Sequence, residues 1–355
     1  MANNENLHQA KVAKNDEFYT QLTDVEKEML HYRKHFNGAT VLCNCDDPFE
    51  SAFFKYFVLN FNRLHLKKLI STCYAGSPVA GSQMSLFDLT GDESKRRKPY
   101  KAIVTSVHDT TGDGGIDMDD IKALFKSGEN ELTELEGDGD FRSPECLALM
   151  DEADIVASNP PFSLLRSFVS TLVEHNKKFI IIGNKNMITY KEIFPLLKDN
   201  KMWLGANNPA PKEFMRPDGT MQKFGNIGWF TNLDLKKRHE DLILVKRYTP
   251  EAYPHYDNYD AIEVSKVADI PCDYAGVMGV PITFLLDKYN PEQFEVLGIT
   301  QRNDDPYKLF RYTKEDYKNA NDLNARATIM VNGIPKSMYP RILIRNRHPE
   351  APKEV

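Results

Sequence analysis

The sequence predicts an α/β fold with an open, doubly wound and mostly parallel sheet, followed by a mixed α+β region. Three observations predict it: short apolar runs alternate with segments of helical periodicity, these segments suit the crossovers that parallel strands need, and the composition changes after about Gly205. We therefore predict a first domain over 1–205, with an inserted excursion over 74–138, and a second domain over 206–355.

The hydrophobic pattern predicts the elements in order. Apolar residues recur at helical spacing over 24–36, with Asp24 at the start and Asn37-Gly38 as the stop. A buried strand over 40–43, an aromatic-rich helix after Pro48 and a strand over 66–73 form a first strand–helix–strand unit. The same patterns predict further strands over 101–107, 154–157, 179–182, 202–204 and 341–345, and helices over 121–125, 144–152, 164–174 and 191–199.

The composition is that of an ordinary globular protein and excludes fibrous and wholly disordered classes. The 355 residues are 41% hydrophobic and 27% charged, which is enough for a substantial core. The net charge of −6 means that bulk charge does not hold nucleic acid. Any phosphate contacts must come from local basic clusters, which lie at 95–98, 236–238 and 246–247 and at Arg341, Arg345 and Arg347.

Cysteine usage and hydropathy indicate a cytoplasmic protein. The five cysteines lack metal-knuckle spacing and favour a reducing compartment, where they pack as small core residues. The amino terminus has no apolar signal core, and no later run approaches the ~18 apolar residues of a membrane span.

The most informative stretch is Asn159-Pro160-Pro161-Phe162, which directly follows the predicted strand over 154–157. This order places the tetrapeptide at the carboxyl end of a parallel strand, where open α/β sheets bind ligands. The prolines fix φ and lack N–H groups, so their carbonyls are expected to point outward unpaired. The Asn159 side-chain oxygen and such a carbonyl form two acceptors that suit an amino group on an aromatic ring, and Phe162 can stack on that ring.

The alternative is a rigid strand-to-helix turn with no catalytic role. Asp140 weighs against this alternative, because it precedes Asn159 by the 19 residues that one helix and one strand require. Both side chains are therefore expected at the same edge of the sheet.

These residues resemble the signature of the amino-group DNA methyltransferases that use S-adenosylmethionine, which is Asp/Asn/Ser-Pro-Pro-Tyr/Phe. Further segments resemble the EcoRI-type adenine-specific modification methylases, namely residues 14–21, 43–48, 137–142 and 273–285. The similarity covers most of the chain and is weakest over 75–135 and 205–225. It implies a Rossmann-like class I methyltransferase fold, a motif order of the gamma arrangement, and a target-recognition region after 205.

The resemblance also implies residue roles. Phe18, Tyr19 and Thr20 match the segment that touches the methionine end of the cofactor. Asp140 and Phe141 match the segment that holds the adenine of the cofactor, with Asp140 accepting from its amino group. The catalytic group around the target adenine is matched by Asn159, Pro160, Pro161 and Phe162, and no metal is implied.

The turn after the first strand departs from many relatives, which carry an acidic residue and a Gly-rich turn there because the backbone approaches the cofactor. This chain has Cys43-Asn44-Cys45-Asp46-Asp47-Pro48-Phe49, without glycine, as the EcoRI-type methylases do. Asn44, Asp46 and Asp47 are predicted to contact the cofactor. Helix capping by Asp47 ahead of Pro48 is an equal alternative.

The resulting prediction is a site-specific DNA adenine N6-methyltransferase that flips its target base out of double-stranded DNA. It is expected in a restriction–modification system or as an orphan enzyme, acting as a monomer or weak dimer, with GAATTC as the candidate site. Two alternatives stay open: a methyltransferase of an RNA base or protein glutamine, and a catalytically silent DNA-binding module.

Two weaker motifs remain. Residues 109–120 imitate a calcium-loop spacing, although a solvated acidic loop that caps a helix is favoured. Gln83-Met84-Ser85-Leu86-Phe87 resembles the bacterial sliding-clamp binding peptide, in which Gln83, Leu86 and Phe87 are the contacts. An apolar patch that folds back on the domain is the favoured alternative there. The aromatic stretch 224–230 suits base reading or a core hairpin equally.

Overall fold

The computed structural model describes residues 19–48, 51–73, 99–110, 112, 114–126, 128–208, 212–215, 220–287, 289–301 and 306–351. The chain forms two compact units. The first comprises Met1–Met187 and Gly205–Asp234, and the second comprises Ile188–Leu204 and Leu235–Val355.

The elements alternate as the sequence pattern predicts over most of the first half. Up to residue 184 they are β1 Tyr19–Thr20, α1 Leu22–Met29, α2 Arg33–Phe36, β2 Thr40–Asn44, α3 Ala52–Leu59, α4 Phe61–Leu64, β3 Lys68–Thr72, β4 Tyr100–Val104, α5 Met118–Ala123, β5 Glu131–Glu134, α6 Pro144–Glu152, β6 Ile155–Ser158, α7 Leu165–Glu174 and β7 Lys178–Asn184. After residue 184 they are α8 Phe194–Lys198, β8 Trp203–Leu204, β9 Lys212–Met215, β10 Met221–Phe224, β11 Ile227–Thr231, β12 Ile262–Glu263, β13 Met278–Pro281, α9 Thr283–Asp287, β14 Phe294–Ile299, α10 Ala320–Asn324, β15 Thr328–Val331, β16 Ile334–Ser337 and β17 Arg341–Asn346.

The first helical segment keeps its predicted apolar face but is interrupted. Val25, Met29, Tyr32 and Phe36 recur three or four residues apart and are all fully buried. The helix nevertheless breaks between α1 and α2, where Tyr32 leaves the helical region with φ −118° and ψ 5°. Burial of this stripe therefore continues across the break.

The main sheet is mixed and has eight strands in the order β5-β4-β3-β2-β6-β7-β11-β8. Its centre, β3-β2-β6-β7, is parallel. Strands β4, β5 and β11 pair antiparallel, so the sheet is less parallel than the sequence predicts. Strand β5 is polar and mostly exposed. Its sequence lacks the apolar pattern that predicts a strand.

Strand β11 joins this sheet from beyond the change in composition at Gly205. It pairs with β7, from Ile227 opposite Asn184 to Thr231 opposite Ile180. Trp229 and Phe230 are fully buried. Of the two interpretations of 224–230, the structure therefore favours the core over base reading.

The second unit is built around a four-stranded sheet in the order β12-β13-β17-β14. Ile342, Leu343 and Ile344 of its central strand β17 are fully buried, so both faces of that strand are covered. A separate hairpin joins β15 and β16. Within the described ranges, no helix combines the length and the apolar character that crossing a membrane requires.

Candidate active site

The carboxyl ends of three parallel strands bring the central candidates together. Asn44, the last residue of β2, lies opposite Thr72, the last residue of β3. On the other side β2 pairs with β6, which ends at Ser158. The turn after β2, residues 45–47, and the tetrapeptide 159–162 after β6 therefore leave the sheet at neighbouring points. We call these segments the β2 turn and, for the role that the sequence predicts for it, the catalytic tetrapeptide.

Asn44 is fully buried and presents an unused donor. Its Oδ1 accepts a hydrogen bond of 2.7 Å from the Thr72 hydroxyl. Its backbone carbonyl accepts one from the Ser158 hydroxyl. The Asn44 Nδ2 has no hydrogen-bond partner among the described residues. Because a buried amide donor is normally bonded, this atom fits a bound group with an acceptor.

The β2 turn contains no glycine, and one of its residues adopts a strained backbone conformation. Cys45 has φ 68°, in the left-handed region that favours glycine. Hydrogen bonds to β3 hold the next residue, because the Asp46 N–H donates to the Thr72 carbonyl at 3.0 Å and the Asp46 carbonyl accepts from the Ser71 hydroxyl. A cysteine therefore adopts the backbone conformation that glycine adopts most easily.

Asp46 lies inside the site, and each of its carboxylate oxygens accepts a hydrogen bond from a neutral donor. Its Oδ1 accepts from the Ser51 hydroxyl at 2.8 Å, and its Oδ2 accepts from the Asn159 N–H at 3.3 Å. Burial, with a smaller contribution from the nearby Asp47, raises the pKa of this carboxyl from 3.8 to about 6. Hydrogen bonds from Ser51, Ser158 and the Asn159 N–H limit that rise of the pKa.

Asp47 is half-buried and accepts a hydrogen bond of 2.7 Å from the Tyr100 hydroxyl. It does not cap the following helix, which was the alternative role predicted for it. Helix α3 begins at Ala52, and the cap is Ser51, whose hydroxyl accepts from the N–H groups of Phe53 and Phe54. A serine just before a helix is the preferred cap because its oxygen reaches the free N–H groups of the first turn.

The catalytic tetrapeptide forms a stiff corner after β6. Pro161 adopts φ −53° and ψ 132°, and a short 3₁₀ turn over Phe162–Leu164 leads into α7. The expectation that both proline carbonyls are unpaired is wrong for one of them, since the Pro161 carbonyl accepts from the Leu164 N–H at 2.9 Å. The carbonyl of Pro160 is therefore the one suited to accept from a ligand. Asn159 and Phe162 are half-buried.

Asp140 and Phe141 have separate environments. Arg142 donates to Asp140 through Nε at 2.8 Å and Nη2 at 2.5 Å, and these hydrogen bonds lower the pKa of the carboxyl. The hydrogen bond to Asp140 raises the pKa of Arg142, and the Cys45 thiol of the β2 turn adds a smaller electrostatic contribution. Phe141 is buried edge-to-face against Phe168, with ring centroids 5.0 Å apart.

The amino-terminal candidates are only partly described. Phe18 lies outside the described residues. Tyr19 and Thr20 form β1 and pair with Met215 and Phe214 of β9. The buried Thr20 hydroxyl has no hydrogen-bond partner in the described part of the chain.

Four hydroxyl groups of the site escaped the sequence analysis. Ser51, Ser71, Thr72 and Ser158 are all buried and bond to the β2 turn or to the end of β2. Their only sequence signal is position, because three of them fall in the last two residues of the observed parallel strands β3 and β6.

The other predicted sites resolve as follows. In the acidic loop, Asp109 accepts from the N–H groups of Gly112 and Gly114, and Asp117 caps α5 in a capping box with Asp120. No group of three or more potential metal ligands is arranged for a metal ion in the described ranges. Gln83, Leu86 and Phe87 lie outside those ranges.

Two of the basic clusters lose members as phosphate contacts. Arg238 is buried with its guanidinium 3.9 Å from the centroid of the Trp203 ring. Arg341 is buried in an ion pair with Glu263, at 2.6 Å between Nη2 and Oε1. Burial against an aromatic ring or a carboxylate removes both guanidinium groups from contact with a phosphate.

Comparisons with known proteins agree with these features. The profile of the family described as "Adenine-specific methyltransferase EcoRI" matches residues 6–347. The chain is 42% identical to the Type II methyltransferase M.EcoRI of Escherichia coli, with 98% of each chain covered. It is 34% identical to the Type II methyltransferase M.MgeORF184P of Mycoplasma genitalium, over 96% of this chain and 98% of the relative. No solved structure matches significantly.

Proposed function

The chain belongs to the family of EcoRI-type adenine-specific methyltransferases, and on this premise we propose that it methylates the N6 amino group of an adenine at a specific site in double-stranded DNA. Its relatives are Type II methyltransferases, so we assign it to a restriction–modification system. The observation that carries the proposal is the stiff corner at Asn159-Pro160, which lies at the same sheet edge as the open donor of Asn44.

Two acceptors hold the target amino group in this proposal. They are the Asn159 side-chain oxygen and the Pro160 carbonyl, since the Pro161 carbonyl is already bonded to Leu164. Accepting both N–H groups draws the nitrogen lone pair out of conjugation with the ring and directs it toward an electrophile. The ring of Phe162 stacks on the adenine. Catalysis then follows from orientation and fixed electrostatics, without a general base: as the bond from N6 to the methyl carbon would form, the bond from that carbon to the donor sulfur would break, and one N6 proton would then pass to water.

We propose S-adenosylmethionine as the methyl donor, which supplies, when bound, an electrophilic methyl group on a sulfonium. The residues present fit it: the buried Nδ2 of Asn44 needs an acceptor, and the half-buried Asp140 offers carboxylate oxygens beside the β2 turn. The buried Phe141, next to Asp140 in the chain, is proposed to support this side of the cofactor site. Tyr19 and Thr20, with Phe18 before them, are proposed for the methionine end.

Methyl transfer requires that the target base leave the DNA helix, because the amino group inside a duplex does not reach the methyl donor. Flipping costs a few kcal/mol, which contacts elsewhere must offset. We propose that residues 206–355 read the sequence. Lys236 and Lys246, which are exposed, are proposed to contact phosphates, so that affinity falls with salt.

The decisive experiment compares methyl transfer by the purified chain to duplex DNA, RNA and protein, using a labelled donor. We expect transfer to duplex DNA alone. Asn159→Ala should abolish transfer while DNA binding and donor binding, measured by calorimetry, are kept. Asn37→Ala, an exposed asparagine away from the sheet edge, is the control. Turnover by Asn159→Ala, or transfer to RNA or protein only, contradicts the proposal.

The recognition site is a separate measurement. Methylation-sensitive sequencing of DNA from cells that express the chain should show one modified sequence, with GAATTC as the candidate. Several unrelated modified sequences would argue against a site-specific enzyme.

We also propose, from the sequence alone, that residues 83–87 bind a bacterial sliding clamp. The supporting feature is the apolar pair Leu86-Phe87 next to Gln83. Pull-down of the full chain by purified clamp should be lost when Leu86→Ala and Phe87→Ala are combined. An unchanged pull-down, or none by the wild-type chain, favours the alternative that this apolar patch folds back on the domain.

A further inference from the structure

Asp46 links the two turns that make up the site. One carboxylate oxygen accepts from the backbone N–H of Asn159, and the other accepts from Ser51, the cap of α3. The backbone of Asp46 is fixed to β3 through the Thr72 carbonyl and the Ser71 hydroxyl. Asp46 therefore joins β3 through its backbone, and it joins the start of α3 to the first residue of the catalytic tetrapeptide through its buried side chain.

The charge of Asp46 is compensated only by neutral donors. Among the residues that the structure describes, no ion pair involves it, and its side chain is only 6% exposed. The titratable groups that face it are Asp47 on its own turn and the buried Cys43 thiol on β2, and neither is a cation. Its remaining neighbours from β6 and α3 are the Ser158 and Ser51 hydroxyls and the Asn159 N–H.

We infer that Asp46 is a positioning residue for methyl transfer, which acts by holding the backbone of Asn159, and that it is not a ligand of the methyl donor. This inference rests on the proposed function. Each carboxylate oxygen already accepts a hydrogen bond within the protein, and the residue is only 6% exposed, so we assign its side chain to the protein and not to the cofactor. The resemblance to relatives had implied the opposite role for this residue.

The ionised carboxylate is the form that fits. A protonated acid or an amide presents one donor where Asn159 N–H or Ser51 requires an acceptor. Because the pKa of Asp46 is raised by burial to about 6, the rate constant for transfer should fall as the pH drops below about 6. Removing the Ser51 hydroxyl, which holds this pKa down, should move that fall to higher pH.

The first test does not depend on activity. In the full chain labelled with ¹⁵N-asparagine, the amide signal of Asn159, assigned by its absence in Asn159→Ala, should titrate with a midpoint near pH 6. The titration should vanish in Asp46→Asn. A wild-type chain that methylates no DNA but shows this titration refutes the proposed function and leaves the link between Asp46 and Asn159 intact. An Asn159 signal that does not respond to Asp46 overturns the inference.

The second test separates positioning from donor binding. Asp46→Asn should lower the single-turnover rate at saturating donor and DNA by about 100-fold, as a misplaced reacting group does. Its dissociation constant for S-adenosylmethionine should stay within about threefold of wild type. Ser51→Ala keeps the carboxylate, and its acidic limb should shift to higher pH. A weakened donor affinity with an unchanged rate, or an unmoved limb in Ser51→Ala, contradicts the inference.

The matched control lies on the same two strands at their other end. The exposed Asp154, just before β6, accepts from the backbone N–H of Thr40 at 2.8 Å. Asp154→Asn makes the same change in a carboxylate that accepts from a backbone N–H, away from the site. We expect an unchanged rate and pH profile, whereas a loss like that of Asp46→Asn would show that any such bond suffices.

Discussion

Two buried carboxylates, one in each compact unit, are compensated in opposite ways. Glu263, 3% exposed, forms a double hydrogen-bonded ion pair with Arg341, at 3.0 Å from Nε to Oε2 and 2.6 Å from Nη2 to Oε1. The Tyr256 hydroxyl adds a further donor. Asp46 has no such cation among the described residues, and its bonds come from a hydroxyl and a backbone N–H.

The difference separates a structural carboxylate from one poised for function. A guanidinium partner compensates the charge of a buried carboxylate, and the pair fixes neighbouring strands. Burial without a cation raises the pKa of a carboxyl group, and such perturbed groups concentrate at functional sites. Asp46, whose pKa is raised by burial, lies next to the catalytic tetrapeptide.

Removing the cation should have the largest effect on stability. Arg341→Met leaves Glu263 charged and buried without its partner, so the free energy of unfolding should fall by about 3–5 kcal/mol. Urea denaturation at pH 7 measures this change. The double variant Arg341→Met with Glu263→Gln should recover much of the loss, because no buried charge is then left over. Equal losses in the single and double variants would mean that packing, and not charge, holds this pair.

Asp46→Asn should change the free energy of unfolding by an amount that depends on pH. The folded protein binds the Asp46 proton more tightly than the unfolded chain does, since burial raises its pKa from 3.8 to about 6. This contribution to stability is full below about pH 4 and is lost as the pH rises through about 6. The unfolding free energy of Asp46→Asn relative to wild type should therefore rise by about 3 kcal/mol between pH 4 and pH 8.

Urea denaturation of both proteins at the two pH values measures that change. A difference between them that is independent of pH would show that Asp46 titrates alike in the folded and unfolded states, and the contrast with Glu263 would then disappear.

The sequence predicted the parts of this architecture that depend on local pattern. Buried strands β2, β6 and β7 are recognisable as apolar runs, and the tetrapeptide is recognisable by its prolines. Knowing that ligands bind at the carboxyl ends of parallel strands was enough to expect Asn159 at that edge of the sheet.

The sequence did not reveal what depends on contacts between distant residues. The bond between Asp46 and Asn159 spans 113 positions, and no local pattern encodes it. The same holds for Arg341 and Glu263, 78 positions apart, because a basic cluster on a strand is the usual sign of a solvated surface. The polar strand β5 was missed since it lacks an apolar face.

Cys45→Gly tests whether the backbone of the β2 turn is strained. A side chain at φ 68° is disfavoured, so glycine should raise the unfolding free energy by about 0.5–1 kcal/mol after its larger chain entropy is subtracted. Thermal and urea unfolding provide the measurement. Cys45→Ala keeps the Cβ atom and should bring no gain. Equal stability of the two variants would show that the turn stores no strain that glycine relieves.

The smallest effect should come from an ion pair on the same strand as Arg341. Arg345 lies opposite Glu295 on β14, with 3.6 Å between Nη1 and Oε2, and both side chains are about two-fifths exposed. Water solvates both charges, so the pair gains little and loses little when broken. Arg345→Met should change the unfolding free energy by about 0.5 kcal/mol or less in urea. Arg341 and Arg345 both lie on strand β17. If Arg345→Met lost nearly as much unfolding free energy as Arg341→Met, both losses would be attributed to the strand. Burial would then no longer explain the structural role of Glu263.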